Sequence, residues 1–232
     1  IKKNIEVINI MKFKKKLNIV AIIPIKKKST RVPNKNFKIV NGKPLYRYLL
    51  DRLHKTNFNK IFIDTDSKEI KKFAVNSGFN VIDRLPSLSK NSANGNHLLN
   101  YHASIIKADF YFQLFITSPF LRTKTINDCI KILKSQKNID SILTCNSLYS
   151  WYWFNNKPVN YNPKILPRSQ DAKPVVVETT GLYGIKRSAL LKSKSRIGKK
   201  PFFYEVSREE SIDLDNIEDF DYLEYILKKN KN

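Results

Sequence analysis

Cysteine is nearly absent: Cys129 and Cys145 are the only two in 232 residues, too few for a disulfide scaffold or a thiolate zinc cluster. Methionine occurs once, at Met11. The three histidines, His54, His97 and His102, lack metal-ligand spacing and read as structural residues. No apolar run approaches the roughly 20 residues of a bilayer span, which argues against a membrane-embedded chain. Negative charge is scarce as well, with 20 Asp+Glu against 43 Lys+Arg and a formal net charge of +23. The few cysteines fit a reducing cytoplasm, and lysines break up any signal-peptide pattern at the start. The lone Met11 predicts that residues 1–10 extend upstream of the natural start. Residues 1–17 are expected to be a frayed basic extension outside the fold.

What is present is an apolar fraction of 41%, enough for one sizeable α/β core or two small ones. The basic excess invites a nucleic-acid reading. Against it, the charge is mostly Lys rather than Arg, runs from Lys2 to Lys231 without forming a stripe, and accompanies abundant Asn, as in an AT-rich coding sequence. A polyanionic small molecule fits the same charge.

The apolar pattern alternates strand and helix. Residues 18–25 form a β-branched run suited to a buried parallel strand. A polar loop, 26–36, leads to a helix at 44–53 with Pro44 at its first position. A short strand at 60–64 precedes a helix at 67–77 stopped by Gly78. Strand 110–116, helix 123–133 and strand 141–145 repeat the unit. Residues 147–177, rich in aromatics, Asn and Pro, break the rhythm and are too long for an ordinary connection. Strand 181–185, helix 187–191, strand 202–206 and a helix from 217 to about 228 complete a single domain over 18–232. Repeated βα units predict a doubly wound, mainly parallel sheet with helices on both faces.

In such a sheet, ligands sit beyond the carboxyl ends of the strands. The loop there carries Lys26, Lys27, Lys28, Ser29, Thr30, Arg31 and Lys35, a set of charges and hydroxyls suited to a triphosphate. It contains no glycine, so neither the Walker pattern nor the dinucleotide fingerprint applies. A solvated basic loop is the competing reading. Near the other end, Asp213 and Asp215 alternate in an extended stretch and face one side. Two adjacent carboxylates call for a cation between them, and Mg²⁺ with phosphate oxygens is the natural occupant. Asn216 and Asp219 suit the cap of the following helix, which leaves the pair free for metal.

Ile23-Pro24, Ser29 and Val32-Pro33-Asn34-Lys35-Asn36 resemble the signature loop I-P-A-R-x-x-S-K-G-x-P-x-K-N of the acylneuraminate cytidylyltransferases, which activate sialic-acid-like sugar acids with CTP. Lys26 stands at the family's arginine, Thr30 at its lysine and Arg31 at its glycine, and the Ser-Thr-Arg-Val-Pro run is similar to related enzymes acting on the eight-carbon acid Kdo. Asp64-Thr65-Asp66-Ser67, residues 84–96, Thr117-Ser118-Pro119 with Arg122, and Ser211-Ile212-Asp213-Leu214-Asp215 resemble further family motifs in the right order. The resemblance spans about 18–227 and implies a Rossmann-like nucleotidyltransferase fold, Mg²⁺ as cofactor, and CTP and a 2-keto-3-deoxy sugar acid as partners. It implies catalytic roles for Lys35, Asp213 and Asp215, with the two aspartates as metal ligands. Lys26, Ser29, Arg31, Lys35, Asn36, Arg84, Asn94, Gly95 and Asn96 are the expected nucleotide contacts. The expected sugar contacts are Gln113, which shares its side of the strand with Phe115 at the family's glutamine position, and Thr117, Ser118, Arg168, Gln170 and Glu178. It further implies that 147–177 is a homodimerisation insertion lending Arg168 and Gln170 to the partner's site. A catalytically degenerate nucleotide binder on the same fold is the alternative.

Overall fold

The computed structural model describes residues 17–229; the expected N-terminal extension, Met11 included, lies outside the described residues except for Leu17. The first strand, β1 (Ile19–Ile25), carries the run IVAIIPI and is buried almost throughout, as a strand covered on both faces requires. Ile19, Ala21, Ile23 and Ile25 join one core cluster while Val20 and Ile22 join another, the period-two alternation of a strand.

A small hairpin, β2 (Ile39–Val40) with β3 (Lys43–Pro44), leads into α1 (Leu45–Leu53). Then come β4 (Lys60–Thr65), α2 (Lys68–Asn76), β5 (Asn80–Asp83), the single turn α3 (Pro86–Ser89), α4 (Gly95–Ile105), β6 (Phe110–Leu114), α5 (Thr123–Ser135) and β7 (Ser141–Leu148). A second hairpin, β8 (Trp153–Phe154) with β9 (Lys157–Pro158), precedes β10 (Val175–Lys186), α6 (Arg187–Ser193), β11 (Pro201–Glu205) and α7 (Glu218–Lys229).

Seven strands form one sheet in the order β11-β7-β10-β6-β1-β4-β5. Only β10 runs against its neighbours, β6 and β7; every other pairing in this sheet is parallel. Leu49 and Leu53 of α1, Ile70 of α2 and Ile126 of α5 pack on one face of the sheet. Leu99 of α4 and Leu190 of α6 pack on the other. Each fully buried leucine of this kind contributes roughly 1.5–3 kcal/mol. The doubly wound, mainly parallel α/β architecture expected from the sequence is the one adopted. Helix α7 covers a third cluster, in which Phe220 and Leu223 meet Val32 and Leu214. It thereby draws the loop after β1 and the Asp213–Asp215 stretch to one place. Among the described residues no helix is long and apolar enough to cross a membrane.

Two regions differ from the expectation. Between the helix at 67–77 and the strand at 110–116 the chain adds β5, α3 and α4. Strand β5 is only four residues long, and α4 opens with a capping box in which His97 takes the place usually held by Glu or Gln. The second difference is at 147–177. Strand β7 runs on to Leu148, and β10 begins at Val175 with three consecutive valines paired to it, because β-branched side chains favour the extended backbone.

Candidate functional site

The loop after β1 curls over the rim of the sheet and is fastened at several points. Asn34 takes the left-handed conformation at φ 53 and starts a single 3-10 turn over Lys35–Phe37. The buried Asn36 amide donates to the Lys26 carbonyl at 2.7 Å, tying the loop's two ends together. The Lys27 N–H donates to Asp66 Oδ1 at 2.6 Å, while Val32 anchors the middle beneath α7.

Beside this loop lies a cleft of about 370 Å³. Lys26, Ser29, Arg31, Lys35, Asn36, Arg84, Asn94 and Gly95, all expected to contact nucleotide, line it together with Phe115 and Thr117. Asn96 is not part of the lining; its Oδ1 accepts a hydrogen bond from the Arg196 N–H at 2.9 Å. Asn94 caps α4, its Oδ1 accepting from the N–H groups of Asn96 and His97, so its amide NH₂ is what remains for a ligand. Arg84 is held from behind. Its Nε and Nη2 donate to Asp64 Oδ2 at 3.1 and 2.9 Å, and His102 Nε2 approaches the same oxygen at 3.2 Å. All three side chains are buried. Burial by itself would raise the Asp64 carboxyl, but contact with His102 and the charge of Arg84 outweigh it and hold the group below the usual range.

The stretch 211–215 faces the loop across the cleft rim. Leu214 is fully buried while its neighbours Asp213 and Asp215 are not, which places both carboxylates on the opposite side from Leu214. The Leu214 N–H donates to the Thr117 carbonyl at 2.9 Å, stitching the stretch to the end of β6. Asp219 accepts from the N–H groups of Asp215 and Asn216 at 2.6 and 2.7 Å. It therefore serves as the cap foreseen for it, and the side chains of Asp213 and Asp215 turn to other partners. Asp215 Oδ1 meets Arg31 Nη2 at 2.7 Å and Lys35 Nζ at 3.3 Å. Asp213 Oδ2 accepts from Thr180 Oγ1 at 2.6 Å. Burial pushes the Asp213 carboxyl up, the Asp215 charge adds to the push, and hydrogen bonds from Thr117 and Thr180 oppose it.

The expected sugar contacts are more dispersed. Thr117 lines the cleft. Phe115, one residue past β6, lines the cleft, whereas Gln113 is covered by the start of α4 and fully buried, with Nε2 donating to the Gly95 carbonyl. Ser118 is also fully buried. Glu178 accepts from the Tyr183 hydroxyl at 2.6 Å. Arg168 pairs with Asp171 at 2.6 Å in the exposed insertion, and Gln170 is exposed beside it. None of the expected sugar contacts except Thr117 lines the cleft of its own chain. Sequence reasoning passed over Arg196, whose guanidinium stands 3.6 Å from the Tyr183 ring centre. No local pattern marks it, because its neighbours come from three other elements.

For a divalent metal the residues fit. Asp213 Oδ1 is buried without a hydrogen-bond partner, and Asp215 lies one pleat along. Among the described residues no group of three or more His, Cys, Asp or Glu is placed to hold a metal, so a metal here would depend on oxygens from a bound phosphate to complete its shell.

A family profile described as "Cytidylyltransferase" matches residues 20–230. N-acylneuraminate cytidylyltransferase A of Danio rerio is 27% identical over 214 residues, covering 88% of this chain and 49% of that protein. CMP-N,N'-diacetyllegionaminic acid synthase of Legionella pneumophila is 26% identical over 231 residues, covering 93% and 98%. The chain thus spans about half the length of the first of these relatives. Among solved structures, a CMP:2-keto-3-deoxy-manno-octonic acid synthetase complexed with CTP superposes with a TM-score of 0.69 at 15% identity, over 92% of this chain and 99% of that one.

Proposed function

This chain belongs to the cytidylyltransferase family, and from that premise we propose that it joins CTP to a 2-keto-3-deoxy sugar acid, giving a CMP-sugar and pyrophosphate. The observation that carries the reading is the meeting of Asp215 with Arg31 and Lys35 at the mouth of the cleft. A carboxylate pair and a set of loop cations converge where a triphosphate and its metal would share one volume.

The anomeric oxygen of the acid attacks the α-phosphorus as the bond to the β-phosphate oxygen breaks. Pyrophosphate leaves and the hydroxyl proton passes to water. Lys26, Ser29, Arg31 and Lys35 take the triphosphate, while Asn36, Arg84, Asn94 and Gly95 hold cytosine and ribose. Asp213 and Asp215 would hold Mg²⁺, which when bound would neutralise phosphate charge and favour the leaving group. Loading the cleft exchanges partners: Asp215 gives up Arg31 and Lys35, and the two cations turn to phosphate. Binding and orientation do the rest of the catalysis, with no covalent enzyme intermediate. Arg168 and Gln170, remote from their own cleft, serve the site of a second chain packed through 147–177.

The test is pyrophosphate release and CMP-sugar mass from CTP, UTP or GTP with N-acetylneuraminic acid, diacetyllegionaminic acid and Kdo. Product with CTP and one of the acids is expected. Turnover with UTP or GTP but never CTP sinks the reading, and CTP binding without turnover for every acid leaves a nucleotide binder.

A further inference from the structure

We propose that Arg196 grips the carboxylate of the acceptor and thereby makes an acid, rather than a neutral sugar, the substrate. The inference rests on the cytidylyltransferase reading above.

Arg196 is placed firmly. Its N–H donates to Asn96 Oδ1, and the Ile197 and Gly198 N–H groups on its far side donate to Ser195 Oγ and Ser141 Oγ at 3.1 and 2.8 Å. The guanidinium lies over Tyr183, 3.6 Å from the ring centre, and 5.8 Å from that of Phe115. The Tyr183 hydroxyl donates to Glu178, which fixes the ring, and burial together with that bond keeps the phenol protonated. Phe115 and Gly95 both line the cleft, so the charge of Arg196, itself outside the lining, stands directly behind that part of the wall. Gly95 is what admits it. A Cβ at that position would lie 2.7 Å from Arg196 Nη1 and 3.1 Å from Gln113 Oε1.

Arg31, Arg47, Arg84, Arg122 and Arg168 each have a carboxylate partner. Among the described residues Arg52 and Arg187 show no ion pair but donate to a backbone carbonyl and to the Tyr111 hydroxyl, whereas the Arg196 guanidinium meets only aromatic rings. A guanidinium stacked on a ring loses water from its faces and keeps its edge donors for a planar carboxylate, which it can hold by two parallel hydrogen bonds. A second observation falls beside it: Gln113 Oε1, covered by the start of α4, is buried without a hydrogen-bond partner, so the region behind Gly95 holds two polar groups that the chain leaves unsatisfied. In a 2-keto-3-deoxy acid the carboxyl group is attached to the anomeric carbon. Holding it therefore also aims the anomeric hydroxyl, and Arg196 acts as a specificity and positioning residue with no part in bond making.

The experiment compares wild type, Arg196→Ala, Arg196→Gln and Arg196→Lys, with whichever acid the wild type uses and with that acid's methyl ester. CTP affinity is measured in parallel by calorimetry. Arg196→Ala and Arg196→Gln should raise KM for the acid about ten-fold or more, leave CTP affinity within about two-fold, and abolish the preference for acid over ester; Arg196→Lys should recover part of that preference. Circular dichroism identifies a variant that has failed to fold, and the glutamine variant, close in length, keeps the test alive if alanine does not fold. An acid preference that survives in the folded variants, or an equal loss with acid and ester, overturns the role of Arg196 alone. A wild type inert toward every acid overturns the proposed reaction itself.

Discussion

Thr180 sits at φ 56, a left-handed conformation that β-branched residues avoid at a cost of roughly 1–3 kcal/mol. It lies in the register shift of β10 between Glu178 and Tyr183, and its hydroxyl reaches Asp213. The strained backbone thus delivers a donor to a carboxylate that burial makes costly to ionise. Thr180→Val keeps the shape and the strain but removes the donor. It should lower stability by about 1.5–3 kcal/mol in metal-free urea unfolding at neutral pH, the range for a hydrogen bond to a charged group. Asp213→Asn should do the opposite. The folded carboxyl is raised above its unfolded value, so its ionisation erodes stability as pH climbs past about 3.9 toward the raised value. The asparagine variant should therefore have the higher urea midpoint at pH 7, with the gap closing in acid. The same change, or Asp215→Asn, should cut turnover by on the order of 10³-fold; near-normal rates in both would remove the pair from the mechanism.

Between elements, the tie that fixes Arg84 in the cleft lining joins Asp64 at the end of β4, Arg84 just past β5 and His102 on α4. Asp64→Asn would leave a buried guanidinium without its counter-charge, and breaking a buried pair in this way costs about 3–5 kcal/mol. The folded Asp64 carboxyl is depressed, so its contribution is complete above its unfolded value near 3.9 and disappears as pH falls through the lower folded value. Urea midpoints of wild type and variant should converge as the buffer is taken into that acid range. This network also shows what a sequence withholds. The strand-rich runs at 18–25 and 110–116, the amphipathic helix at 123–133 and the 26–36 loop were legible because their signals are local: apolar period, Pro and Gly stops, spacing of cations. Asp64 showed in the sequence only as part of a family-like motif and without its role, because its partners are 20 and 38 positions away. Helix α4 escaped because only Leu98, Leu99 and Ala103 mark its apolar side and His102 fills the rest of the buried stripe. Arg196 escaped for the same reason: its meaning resides in Tyr183, Phe115 and Gly95.

At the scale of the molecule, the insertion leaves Trp151, Trp153, Phe154, Ile165 and Leu166 exposed in one segment, more apolar surface than soluble monomers usually present in one place. Two chains of +23 repel, so a dimer joined here should tighten with salt as screening grows. Light scattering at micromolar concentration should report twice the chain mass, and a monodisperse single-chain species with full activity would remove the dimer. The direction of β10 has a consequence of its own. As the strand that runs against its neighbours, it begins at the rim where β1, β6 and β7 end, so the insertion leaves and re-enters the sheet on the side that carries the cleft. In a dimer joined there, each chain would hold half of two workplaces, its own acids at one and its reaching Arg168 at the other. Two silent variants, Asp213→Asn and Arg168→Ala, should therefore repair each other when mixed and allowed to exchange subunits: the hybrid regains one intact site, and the pool recovers roughly one quarter of wild-type turnover.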